Sequence, residues 1–311
     1  MLNLPVTSFQ GEIAALSAAC LWAIASVVYG RLGERIPPVQ LNFMKGIVAI
    51  ALLLFTIVLS GELFPNISSI PLSLILLSGV VGIGFGDTVF FASINSLGPR
   101  RALLMRTLAP PITAIGGMIF LQEKLNWSAW CGILLTILGV AWVVTERTPE
   151  DRGYGGRVSG AAMRLWWGIE FGVLAAIANA MGALFSRAAF SNANVSPLWA
   201  ALLRLSAGVL ILLLWGLFSQ FKNQTMLYSD WRSARLILAL IFAAFCGTYL
   251  GIWLQQIALK FTVAGIASTL LQTSPVFIIP IGIWLGEKIS WRAIAGVIIA
   301  IAGIGLLFYL K

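Results

Sequence analysis

Five ionisable side chains, Lys45, Asp87, Arg106, Glu170 and Arg204, stand inside stretches of sequence that are otherwise apolar. A charge in hydrocarbon is costly, so such residues normally face a protein interior or a water-filled cavity. Asp87 lies deepest, about ten residues from the end of its stretch, or roughly 15 Å at 1.5 Å per residue. It follows Gly82 and Gly86, small residues that let helices approach closely. A carboxylate there can bind a solute ammonium or a coupling proton, with Arg106 or Lys45 as partner. Equally, it can form an ion pair with Arg106 that fixes helix packing. Lys45, Arg106 and Glu170 enter from the same side as Asp87, and Arg204 from the other. For the intramembrane charges Lys45, Glu170 and Arg204 a structural role is the competing reading, and it weighs more for the two basic ones, whose long side chains snorkel to the interface.

A second set is uncharged: Trp22, Asn179, Tyr249, Trp253, Gln255, Gln256 and Gln272. Hydrogen-bonding and aromatic groups of this kind suit a small, partly apolar solute. Each could as well serve a bond between helices. Pro110, Pro111, Pro275 and Pro280 fall within apolar stretches, where proline frees backbone carbonyls and bends the helix, making them hinge candidates. The chain has no histidine, which excludes imidazole proton relays and the usual histidine metal sites. Cys20, Cys131 and Cys246 sit in apolar stretches without ligand spacing, so no metal site is expected. No Gly-x-x-x-x-Gly-Lys-Ser/Thr loop occurs, so no ATP drive and no cofactor are expected within the chain.

The elements that hold these residues follow from composition. Of 311 residues, 59% are hydrophobic and 10% charged. So few charges cannot cover a water-facing surface, and the lipid bilayer must cover most of the exterior. The net charge of +9 resides in short loops, which points to orientation in a membrane rather than to nucleic acid. Ten apolar runs are long enough to span: about 12–30, 38–60, 71–96, 101–121, 127–145, 165–187, 197–219, 235–259, 262–285 and 291–310. Their continuous hydrophobicity favours helices over a barrel. The N-terminal Met1–Val6 lacks a basic n-region, so the first run reads as a retained span.

The chain repeats itself across its longest polar stretch. Shifted by 164 residues, Pro111 meets Pro275, Glu123-Lys124 meets Glu287-Lys288, Trp127 meets Trp291, Gly132 meets Gly296 and Gly139 meets Gly303. A shift of 165 pairs Gly82 and Gly86 with Gly247 and Gly251, and one of 159 pairs Pro38 with Pro197 and Lys45 with Arg204. The expected organisation is an all-α integral membrane protein of ten helices: a five-helix repeat over 1–145, a linker over 146–164 and a second repeat over 165–311. Five is odd, so the second copy enters the membrane inverted. Two similar halves of opposite orientation can exchange conformations, opening a central site to either side in turn.

The runs Leu108-Ala-Pro-Pro111, Glu123-Lys-Leu-Asn-Trp127, Gly132 and Gly139, returning as Thr273-Ser-Pro275, Glu287-Lys-Ile-Ser-Trp291, Gly296 and Gly303, resemble the end of an EamA domain. Two such domains in one chain resemble the ten-helix drug/metabolite transporter superfamily. Lys45 stands where these proteins usually carry arginine, whereas Arg204 keeps the usual residue. The resemblance implies a bundle with a central cavity lined by helices 1, 3, 4, 6, 8 and 9. It also implies transport of amino acids, their relatives or other metabolites. The small four-helix exporters of that superfamily rely on a mid-membrane glutamate in the first helix. This chain has none beyond Glu12, which disfavours polycation/proton exchange. Glu123 and Glu287 read as structural, each in a tight turn before Asn126 or Ser290, good N-caps for the following helix.

The leading expectation is therefore a secondary transporter or exporter of small metabolites, amino-acid-like first, working by alternating access, and not an enzyme. Its partners are a small-molecule substrate, the bilayer and, as a candidate, a coupling proton. The alternatives are a membrane-embedded enzyme, for which no acidic or histidine cluster exists, and a sensor or assembly subunit on a transporter fold. Thirteen lysines and arginines fall in odd-numbered loops against four in even-numbered loops and termini. The positive-inside rule then places both termini outside the cytoplasm, opposite to the cytoplasmic termini the resemblance implies. A bacterial inner membrane is the expected location.

Overall fold

A computed structural model describes residues 9–33, 36, 38–61, 67–97, 99–144, 161–220, 234–284 and 291–309. Helix 1 is Gln10–Gly33, helix 2 Pro38–Ser60, helix 5 Trp127–Val144, helix 6 Ala161–Asn192, helix 7 Pro197–Gln220 and helix 10 Trp291–Tyr309. The other four are interrupted. Helix 3 runs Ser69–Gly79, passes through a π-helical stretch Val80–Phe85 and ends as Gly86–Leu97. Helix 8 repeats this as Ala234–Ala243, π-helical Ala244–Leu250 and Gly251–Phe261. Helix 4 is split into Pro99–Arg106 and Ala109–Phe120, and helix 9 into Ala264–Leu271 and Ser274–Trp284. Ten spans thus stand where ten apolar runs were expected. Helices 3 and 8 stay helical through their π-helical stretches, helices 4 and 9 are split by turns, and most of the linker, residues 146–160, lies outside the described residues together with Glu287.

The breaks have local causes. Pro110 and Pro111 occupy the first turn of the second half of helix 4, where a missing N–H costs nothing but no i→i−4 bond can be donated back to the first half, so the helix is broken there. Pro275 does the same one residue into the second half of helix 9. Pro280 lies inside that half and is exposed. The π-helical stretches free carbonyls that find hydroxyl and indole donors. Thr88 donates to the Gly84 carbonyl at 2.5 Å. Trp22 donates from Nε1 to the Gly247 carbonyl at 2.8 Å.

Small residues set the packing. Helix 5 lies antiparallel against helix 10, with Gly132 facing Gly303 and Gly139 facing Gly296 and Ala300. These helices are repeat mates, so their antiparallel contact is the inversion itself. Any side chain on these glycines would collide with backbone; a Cβ on Gly139 would fall 2.6 Å from the Gly296 carbonyl oxygen. Helices 3 and 6 run antiparallel through Gly82 against Gly182, with the Ser78 hydroxyl donating to the Gly182 carbonyl at 2.6 Å and paired with Ser186 at 2.8 Å. The mates of that pair, helices 8 and 1, meet at Gly247 and Ala25. The exterior is lined with exposed Phe55, Leu59, Ile119, Phe120, Leu138 and Ile298, as lipid contact requires. Trp127 and Trp291, at 86% and 84% exposure, open helices 5 and 10 at opposite ends of the bundle, where interfacial indoles belong.

Candidate functional site

The centre of the bundle gathers charge from helices 2, 3 and 4. Asp87 is the second residue after the π-helical stretch of helix 3, so the bulge aims a carboxylate that a straight helix would carry elsewhere. The Lys45 ammonium lies 5.4 Å from the centroid of the Tyr29 ring. The Arg106 guanidinium closes the first half of helix 4 and lies 4.5 Å from the centroid of the Phe90 ring. Lys45, Arg106 and Arg204 all lie within electrostatic reach of Asp87. The direct Asp87–Arg106 ion pair considered from the sequence is not formed: among the described residues no salt bridge joins Asp87 to any of the three. Lys45, Asp87 and Arg106 are each partly buried and keep some accessible surface.

Arg204 differs. It is 2% exposed and does not reach an interface. Its Nη1 lies 3.5 Å from the Ser186 hydroxyl, its Nη2 abuts Gly82, and its Nε has no partner among the described residues. It is packed where helices 3, 6 and 7 meet. Glu170 is exposed on helix 6, not buried among the helices as an intramembrane charge was expected to be.

Among the uncharged candidates, Trp22 is engaged with Gly247 as above, and the Tyr249 hydroxyl pairs with Thr56 at 2.7 Å. Trp253 lies one turn on from Tyr249, the rings tilted by 42° with centroids 6.0 Å apart. Asn179 and Gln272 are half-buried, Gln272 in the turn that breaks helix 9. Gln255 and Gln256 are buried, and the Gln256 amide has no partner among the described residues.

A groove of about 620 Å³ opens at the end of the bundle where helices 1 and 7 begin and helices 2 and 8 end. Its lining includes Ala14, Ser17, Thr56, Ser196, Leu198 and Trp253. Helices 1, 2, 7 and 8 bound it, whereas the implied cavity involved 1, 3, 4, 6, 8 and 9. Groove and charges are separate but connected. Thr56 follows Lys45 by eleven residues, three helical turns, so both lie on one face of helix 2, about 16 Å apart. Between them stand Tyr249, bonded to Thr56, and Thr248, whose hydroxyl pairs with Tyr29 at 3.0 Å beside Lys45.

The same end carries a polar clamp that the sequence did not single out. The second half of helix 4 closes with Gln122 at φ 54° and a bond from the Glu123 N–H to the Gly117 carbonyl, a left-handed cap that turns Glu123 back over the helix. A Cβ on Gly117 would lie 2.7 Å from Glu123 Oε2, so glycine leaves the room. Arg187 of helix 6 donates from Nε to Glu123 Oε1 at 2.6 Å and from Nη1 to the Leu259 and Lys260 carbonyls at 3.0 and 2.7 Å. The Ala264 N–H at the start of helix 9 donates to Glu123 Oε2 at 2.9 Å. Lys260 Nζ bonds Asn194 Oδ1 and the Val195 carbonyl, both at 2.9 Å. Asn126 caps helix 5 as expected, accepting from the Ala129 N–H at 2.9 Å. Glu123 itself does more than shape a turn: it ties the first half of the chain to helices 6 and 9 of the second.

Fold and site together define a polytopic helical membrane protein with inverted repeats and a charged centre. The profile of the EamA-like transporter family matches residues 9–145 and 166–309, and the chain belongs to that family. Two curated relatives from Bacillus subtilis (strain 168) are similar to it. The uncharacterized transporter YvbV is 26% identical over 148 residues, 46% of this chain and 47% of the relative. The uncharacterized transporter YoaV is 25% identical over 143 residues, 45% of this chain and 48% of the relative. The chain thus spans about half the length of the curated relatives it matches. A solved crystal structure shares the fold with a TM-score of 0.76 over 95% of each chain at 15% identity.

Proposed function

We propose that the protein is a secondary transporter of small metabolites, amino-acid-like solutes first, that exposes one central site alternately to the two faces of the membrane. The observation that carries this reading is the coincidence of two features. Both halves hold interrupted helices, 3 and 4 in one and 8 and 9 in the other, and the charged centre lies beside one such set. Interrupted helices are the usual walls of transporter sites, because unwound backbone is tolerated in a membrane where it lines a cavity. Membership of a transporter family agrees. In this scheme the Glu123–Arg187 clamp ties the two halves together at the end that bears the groove.

Counterflow in proteoliposomes tests the proposal. Vesicles preloaded with a metabolite should accumulate its labelled form above equilibrium, with saturation. Asp87→Asn should lower the exchange rate at least tenfold while leaving yield and melting temperature near those of the parent. Unchanged exchange in that variant, or no saturable exchange of any metabolite, would overturn the central role given to Asp87 or the transporter reading respectively.

A further inference from the structure

The charges at the centre do not balance. Lys45, Arg106 and Arg204 all feel one carboxylate, Asp87. The other described carboxylates are elsewhere: Glu12 at the first turn of helix 1, Glu123 on Arg187, and Glu170 exposed. Three cations therefore share one anion in a region that lipid surrounds. Uncompensated charge there is costly unless something mobile supplies the missing negative charge.

The duplication makes the excess informative. Lys45 and Arg204 are repeat mates, one basic group kept in each half. Arg106 and Asp87 have apolar mates, Leu270 and Ile252, so that part of the charge belongs to one half alone. Arg204 is packed against helices 3 and 6, whereas Lys45, Asp87 and Arg106 keep accessible surface. None of these three makes a side-chain hydrogen bond among the described residues. Arg106 is further prepared by Phe90. The guanidinium carbon lies 4.5 Å from the ring centroid, so the ring steadies the cation without using a hydrogen-bond donor in an ion pair.

We propose that the centre binds the carboxylate of a small organic anion between Arg106 and Lys45, with Asp87 accepting any ammonium the solute also carries, so that net-negative solutes are preferred over neutral or cationic ones. This rests on the transporter reading for its consequence, but binding itself does not. Arg106 of helix 4 supplies the planar two-point contact and Lys45 of helix 2 a point charge. The hydroxyl pair of Tyr29 and Thr248 stands next to Lys45 as a polar wall. Arg204 contributes its field from behind.

Acid–amide pairs test the idea on the purified full-length protein: succinate against succinamide, glutamate against glutamine, aspartate against asparagine, benzoate against benzamide. Equilibrium binding and proteoliposome counterflow are measured for each. In at least one pair the acid should bind about tenfold or more tightly than its amide, the scale of one charge-assisted contact. Arg106→Gln should erase that preference, and Lys45→Gln should weaken it while Lys45→Arg retains it. The two lysine variants share a site, so a folding defect common to both is separated from loss of charge. If amides bind or exchange as well as their acids throughout, the anion assignment falls and the transporter reading stands. If acids bind preferentially but nothing exchanges, the assignment stands and the transporter reading falls. If no acid binds at all, the assignment falls.

Discussion

The contact between helices 5 and 10 and the charged centre are built on opposite principles. At the contact each half offers the same residues, Gly132 and Gly139 against Gly303 and Gly296, and the two copies serve one another. At the centre the halves differ: Asp87 and Arg106 come from the first, and their mates in the second are apolar. Duplication preserves what symmetry can use, namely close backbone approach where lipid supplies no hydrophobic drive for association. It does not preserve chemistry aimed at a solute that lacks two-fold symmetry. The contrast teaches that the repeated glycines report the scaffold, while Asp87 and Arg106, carried by one half alone, report the site that they share with the repeated basic position Lys45.

Substitutions at the two regions should therefore separate folding from function, and the largest effect belongs to the scaffold. Gly139→Leu places a side chain against the Gly296 carbonyl and Ala300 backbone and should cost about 3 kcal/mol or more, seen as loss of monodisperse protein on gel filtration. A variant that purifies and melts normally would dissolve the comparison. Next comes the clamp, which joins the two halves. Glu123→Gln leaves Arg187, 20% exposed, without its charged partner and should cost about 2 kcal/mol, measured as a lowered melting temperature in detergent. Gly117→Ala should move in the same direction by less, because it crowds Glu123 rather than neutralising it. Ser78→Ala removes the bonds to Gly182 and Ser186 between helices 3 and 6, and about 0.6 kcal/mol is expected, the usual size for a hydrogen bond within a membrane bundle. Glu170→Gln should change neither melting nor exchange, within about 0.5 kcal/mol, since the side chain is exposed. A functional loss there would extend the site beyond the centre.

Legibility tracked locality and repetition. The ten spans were plain because each is a long apolar run, and the inversion followed from an odd helix count. Asn126 as the cap of helix 5 was readable because the bond spans three residues. Glu123 was read as a turn residue because its partner Arg187 lies 64 residues away, and nothing in either neighbourhood announces the other. Glu170 looked intramembrane by its distance from the end of the run, but depth along a helix says nothing of which face a side chain takes. The π-helical stretches were foreshadowed only by glycines spaced as in close packing. Tyr29, Phe90 and Thr248, ordinary members of apolar runs, become neighbours of the charges only once helices 1, 2, 3, 4 and 8 assemble.

Sequence alone determined that this chain lives in lipid, that it is a doubled and inverted module, and that it carries a few charges it must shelter. Hydrophobic periodicity and repeated residues encode those properties locally. Tertiary structure decided which charges meet, that Arg106 lies over Phe90 instead of pairing with Asp87, that Arg204 is packed away, and that Glu123 clamps the two halves. Those are relations between segments, set by how small residues let helices approach and by where bulges and prolines rotate their faces.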